Sequence, residues 1–201
     1  MPHSDNSDLA KLELSQAVGL ALNQWTHVEI MLTFILASAF DDAAEPLAPG
    51  YASYDELSVT QRMLYDMMDA IVGFDVRVDV VSAAISQADV PEQVRSIWHA
   101  LQSRLKKAYK GRHQIAHFII SEIEQVDGSR LVRLVPFATA TAKSNEKRLG
   151  VSDIETKRQR YLELAEALSW LGREIEINKG RVDGPSWQRT PLIDRIIAGL
   201  G

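Results

Sequence analysis

The sequence predicts a mainly α-helical protein, a helical bundle with one β-hairpin inserted after its third main helix. Three observations carry this expectation. Apolar residues recur at three- and four-residue spacing through three long segments. Helix-start patterns stand ahead of several of the periodic runs. A lone Asp127-Gly128-Ser129 turn separates two β-prone runs.

The first helix is expected over Leu9 to Phe40, with Ser7 or Asp8 capping it and residues 1–8 disordered. Leu14, Val18, Ala21, Leu22 and Trp25 make its first half amphipathic, whereas Val28 to Phe40 is apolar nearly all round. Such a helix must be covered on more than one side. In so short a chain, that predicts a homodimer. Asp41 to Gly50, with two prolines and a glycine, reads as a loop. A second helix runs from Tyr54 or Val59 to Val72, started by Ser53 with Glu56 or by Ser58 with Gln61. Leu64, Met67, Met68, Ile71 and Val72 are its expected core face. Val76 to Ser86 fits a strand by alternation and a helix by spacing, and stays open.

The third helix starts at Asp89-Val90-Pro91-Glu92 and continues to His117, with a bend expected at Gly111. Val94, Ile97, Trp98, Leu101, Leu105 and Ala108 form its stripe. Phe118 to Val126 and Arg130 to Phe137 are the hairpin strands, and Thr139 to Gly150 a polar loop. The last long helix opens on the capping box Ser152-Asp153-Ile154-Glu155 and closes on Asn178-Lys179-Gly180. Its face is Ile154, Tyr161, Leu164, Ala165, Leu168, Leu171 and Ile175. The bundle domain is thus drawn over residues 9–178, and the tail 179–201 holds a short helix from Thr190-Pro191.

Composition bounds the function. Hydrophobic residues at 46% and charged residues at 24% fit a soluble globular chain. Without cysteine there is no disulfide, thiolate zinc site or cysteine nucleophile. The polar, acidic start lacks the basic and apolar regions of a signal peptide, and Ile30 to Phe40 is too short to span a bilayer. A cytoplasmic protein with no membrane partner is expected. GxGxxG, P-loop, HExxH and GxSxG patterns are all missing.

The net charge of −5 conceals an asymmetry. Residues 1–92 hold 15 acidic and 3 basic side chains, and residues 93–201 hold 12 acidic and 19 basic ones. Residues 93–121 contain no Asp or Glu but carry Arg95, Arg104, Lys106, Lys107, Lys110 and Arg112 with His99, His113 and His117. An acid-free basic stretch is the footprint of a phosphate-bearing ligand. It equally suits a solvated face that pairs with the acidic half. Arg104, Lys106, Lys107 and Lys110 are the expected phosphate contacts.

His113 and His117 lie one helical turn apart. A shared metal ion would need a third ligand such as Glu29 or Glu122, and nothing at ligand spacing supplies one. No metal and no cofactor is expected. The string Arg112-His113-Gln114-Ile115-Ala116-His117 resembles the HEPN family motif, in which Arg is followed by a polar residue and then, within four to six residues, by His. Asn is commoner than His at the second position. The layout is similar too: a long first helix with an acid in its apolar stripe, a motif helix and a long closing helix. The resemblance implies a homodimer whose motif helices face each other across a cleft. It also implies a metal-independent endoribonuclease of the toxin or defence type, with an antitoxin as possible partner, or an RNA- or nucleotide-binding relative. The alternative is an inactive dimerisation or protein-interaction module.

The residue types suit that chemistry. An imidazole exchanges protons near neutral pH, the role expected of His117. A guanidinium contacts two phosphate oxygens at once, the role expected of Arg112. His113 would orient either partner. Residues five apart on a helix point about 140° apart, so Arg112 and His117 need a break at Gly111, a helix end or a second copy to converge. The structural alternative pairs Arg112 with Glu29, which sits in the stripe of Leu22, Trp25, Leu32 and Leu36 and needs a cation, and leaves His117 as a helix C-terminal cation. Trp25, Trp98 and Trp170 are expected in the core, and Trp187 at an interface or against a base.

Overall fold

The structure is a computed structural model that describes residues 4–40, 58–125, 127, 129–136, 148–182 and 188–199. In chain order the elements are α1 (Ser4–Phe40), α2 (Val59–Ala70), α3 (Phe74–Gln87), α4 (Glu92–His117), β1 (Phe118–Glu124), β2 (Arg130–Pro136), α5 (Val151–Asn178) and α6 (Pro191–Ala198). The architecture is mainly helical with one antiparallel hairpin, as the periodicities predict. No described helix is long and apolar enough to cross a membrane. The expected loop Asp41 to Gly50, the alternative helix start at Ser53 and Tyr54, and Trp187, expected at an interface or against a base, lie outside the described residues.

The chain forms two compact units. The first combines residues 1–26 with 108–161. Here α1 begins at Ser4, inside the segment expected to be disordered. Ser7 is therefore inside the helix, and instead of capping it donates its hydroxyl to Glu122 Oε1 on β1 at 2.6 Å. Lys11 ion-pairs with the same carboxylate, and Arg130 lies 3.5 Å from its other oxygen. The hydrogen bond from Lys11 is the main reason the Glu122 carboxyl is held below its ordinary pKa. The hairpin pairs Phe118 with Pro136 through to Glu124 with Arg130. Asp127 accepts from the Ser129 amide at 2.9 Å and hydroxyl at 2.6 Å, the side-chain chemistry that makes Asp a turn residue. Leu149, inside a stretch expected to be a polar loop, is buried and bridges Leu134. The capping box expected from Ser152 is shifted: Asp153 accepts from the Gly150 amide at 3.0 Å.

Trp25 organises this unit's core. Its ring meets Tyr161 edge-on at 5.2 Å and Tyr109 at 5.9 Å, geometries that aromatic quadrupoles favour. The α4 helix runs through Gly111 without interruption, so no break separates Arg112 from the rest of the helix. A Cβ on Gly111 would stand 2.8 Å from Lys157 Nζ and 3.3 Å from the Tyr161 hydroxyl. Glycine there serves the close approach of α5, not a kink.

The second unit combines residues 27–107 with 162–201. Ser58 and Gln61 form the reciprocal capping box of α2. The open segment is helical: Phe74, Val78, Val81 and Ile85 of α3 are buried at helical spacing. Met67 and Val72, expected in the core, are exposed. The all-round apolar run of α1 is covered within the chain: Val28, Leu32, Ile35 and Leu36 are at most 1% exposed. Within the same run Ile30 and Phe40 remain exposed, so part of the surface on which the homodimer was argued is covered and part is not. Gly172 packs on Phe34 so closely that a Cβ would overlap the ring.

The end of α5 is a Schellman motif, with the Arg181 amide donating to Glu176 O, the Gly180 amide to Ile177 O, and Gly180 at φ 67°. Past this turn, Lys179 Nζ and Arg181 Nη2 donate to Ala39 O and Ser38 O at 2.7 and 2.8 Å. They satisfy carbonyls at the C-terminus of α1, whose own last turn has no basic residue. Thr190 caps α6, whose Leu192, Ile193 and Ile196 are buried.

Candidate functional site

The expected site residues lie on α4. Lys107, Lys110, His113 and His117 are exposed. Lys110, His113 and His117 fall at i, i+3 and i+7 and so share one helix face. The two imidazole rings are 4.2 Å apart, centre to centre, with planes inclined by 45°. His117 is the last helical residue, and Phe118 opens β1 directly after it. Among the described residues no group of three or more His, Cys, Asp or Glu side chains is placed to hold a metal ion. The third ligand that a metal reading required is not supplied: Glu122 is engaged by Ser7, Lys11 and Arg130.

Two expected phosphate contacts are partly committed elsewhere. Lys106 pairs with Asp79 at 3.1 Å, and Arg104 donates to the Ala100 carbonyl at 2.9 Å. The pairing with an acidic N-terminal half is thus real for Lys106.

Arg112 departs from expectation. A cation that the sequence reading did not single out, Arg77 of α3, lies 3.8 Å from Glu29. Arg77 Nε also donates to Ile71 O at 2.8 Å, which fixes the guanidinium in place. The segment that supplies Arg77 was the one whose secondary structure the sequence left open. Arg112 is half-buried, and its Nε is buried with no hydrogen-bond partner. It forms no salt bridge among the described residues. Because α4 is unbroken, Arg112 and His117 of one copy point about 140° apart.

Three residues that sequence reasoning missed adjoin Arg112. Gly111 brings α5 close, so Lys157 Nζ and the Tyr161 hydroxyl stand over the backbone just before the motif arginine. Lys157 Nζ lies 3.4 Å from Gln114 Oε1. Tyr161 is 1% exposed and its hydroxyl has no hydrogen-bond partner. Burial pushes the Tyr161 pKa above its ordinary value, against the pull of the Arg112 and Arg160 charges, so the phenol stays protonated. One signal was available in advance. A tyrosine in an apolar stripe carries a hydroxyl that needs a partner. Lys157 gave none.

No protein family, curated protein or solved structure matches the chain. The site is therefore interpreted from its own chemistry.

Proposed function

We propose that the C-terminal end of α4 binds RNA phosphates, and that the protein is a HEPN-like, metal-independent endoribonuclease. The observation that supports this reading is Arg112. A half-buried guanidinium with an orphaned Nε, in a stretch free of acids, is a cation kept without an internal counter-charge. A bound phosphodiester supplies that charge with matching fork geometry.

The His113–His117 pair supplies the proton chemistry. One imidazole takes the proton of the ribose 2′-OH, whose oxygen attacks phosphorus. The other gives a proton to the departing 5′ oxygen. The products are a 2′,3′-cyclic phosphate and a free 5′-hydroxyl, with no metal in the balance. Since one unbroken helix keeps Arg112 and His117 on different faces, the proposed site takes Arg112 from one copy and the histidine pair from a second.

The test is a gel assay on single-stranded and structured RNA at low salt, with and without EDTA. His117→Ala is expected to slow cleavage by about 10²-fold or more, with melting temperature unchanged and EDTA without effect. Mixing His117→Ala with Arg112→Ala is expected to restore part of the activity, since one mixed site is then intact. If His117→Ala cleaves like wild type, or wild type cuts no RNA, the ribonuclease reading is wrong. The unbroken α4 favours a second reading, an inactive interaction module, and that reading then takes its place.

A further inference from the structure

Around Gly111 the structure gathers donors and cations. The Tyr161 hydroxyl and Arg112 Nε are both buried and unpartnered, and Lys157 Nζ reaches the same stretch of α4 backbone. The charges that act on the Tyr161 hydroxyl are Arg112 and Arg160, both positive. The Lys157 ammonium also reaches the amide oxygen of Gln114, at 3.4 Å. Buried orphan donors are rare in folded proteins and each is costly to leave unmade. Two of them from facing helices, ringed by cations, call for one shared acceptor bearing negative charge and several oxygens.

We infer that Lys157 and Tyr161 of α5 complete, with Arg112 of α4, an oxyanion site whose ligand is a phosphate group. This rests on Arg112 being the phosphate-binding residue of the proposed function. Lys157 is the exchangeable charge at the mouth, since it is half-buried and its bond to Gln114 is exposed. Tyr161 is the neutral donor at the floor. Gly111 leaves the Lys157 ammonium its place beside α4, because a Cβ there would crowd it.

The experiment follows the Arg112 Nε–H signal by NMR in ¹⁵N-labelled full-length protein, assigned by its loss in Arg112→Lys. Inorganic phosphate is titrated against chloride at constant ionic strength. The signal is expected to shift saturably. Lys157→Gln should weaken binding about tenfold, the usual cost of one charge-assisted hydrogen bond, and Lys157→Arg should retain it. Tyr161→Phe should weaken binding while melting at or above the wild-type temperature, since a purely structural hydroxyl with no partner has nothing to lose. An unmoved signal, or equal affinity in Lys157→Gln, overturns the inference. A short single-stranded RNA forms the second arm. If it moves the same signal and competes with phosphate, the ligand is a phosphodiester. If phosphate binds and RNA does not, the oxyanion site stands and the ribonuclease reading falls. If His117→Ala abolishes cleavage yet phosphate never moves the signal, the ribonuclease stands and this site falls.

Discussion

Arg77, to which the sequence reading gave no role, lies beside Glu29 and is anchored on Ile71 O. Arg112 forms no salt bridge among the described residues, and its buried Nε has no hydrogen-bond partner. The consequence for stability reverses. Replacing Arg112 removes an uncompensated charge rather than orphaning Glu29. Arg112→Met is therefore expected to melt at or above the wild-type temperature while losing RNA binding, the pattern of a residue kept for function against stability. Thermal melts beside RNA-binding titrations decide it. A clear drop in melting temperature would show that Arg112 holds the fold together and is not held in reserve for a ligand.

At the scale of elements, close helix approach is written into glycines. Gly172 lets α5 press on the Phe34 ring of α1. Gly172→Ala is expected to cost about 1–3 kcal/mol by overpacking, and Gly172→Ala with Phe34→Leu should recover part of that loss. Urea unfolding of the three proteins measures it, and an unaffected single variant would mean the two helices separate freely. Gly111 applies the same device where α5 meets the motif. The sequence presented Gly111 as a bend because glycine weakens a helix. Packing, not backbone conformation, is what uses it: α4 keeps its hydrogen-bonded ladder throughout.

At the scale of the molecule, a chain of net charge −5 meets a polyanion only through a local patch. Residues 1–92 repel nucleic acid, and Lys106 spends its charge on Asp79 of that acidic half. Lys110, Arg112 and Lys157 are the cations that the proposed interface turns toward phosphates. Three such contacts predict a slope of about −2 in log K against log salt on single-stranded RNA. A slope near zero would mean that no phosphate is neutralised, and one several-fold steeper that the interface is wider. Most of the apolar half of α1 is covered within the chain, and Ile30 and Phe40 are its exposed apolar side chains. In the proposed site, the second copy is called for by the divergence of Arg112 and His117 along one continuous helix.

What the sequence determined by itself was whatever is local. Periodicity placed α1, α4 and α5, and local patterns gave the Thr190 cap, the Gly180 ending and Ser58 as one of two candidate caps of α2, because helix spacing and terminal hydrogen bonds act over a few residues. The Asp127 turn and the shared face of His113 and His117 were legible for the same reason. Tertiary structure alone decided the rest. Val-rich α3 alternates like a strand, yet it is helical because Phe74, Val78, Val81 and Ile85 bury together on one side, and burial outweighs a weak intrinsic preference. Only that outcome placed Arg77 by Glu29. Likewise Lys157 and Tyr161 lie more than forty residues beyond Arg112, and no spacing rule reaches that far. Their position over Gly111 follows from how closely two helix backbones pack, a quantity set by the whole core.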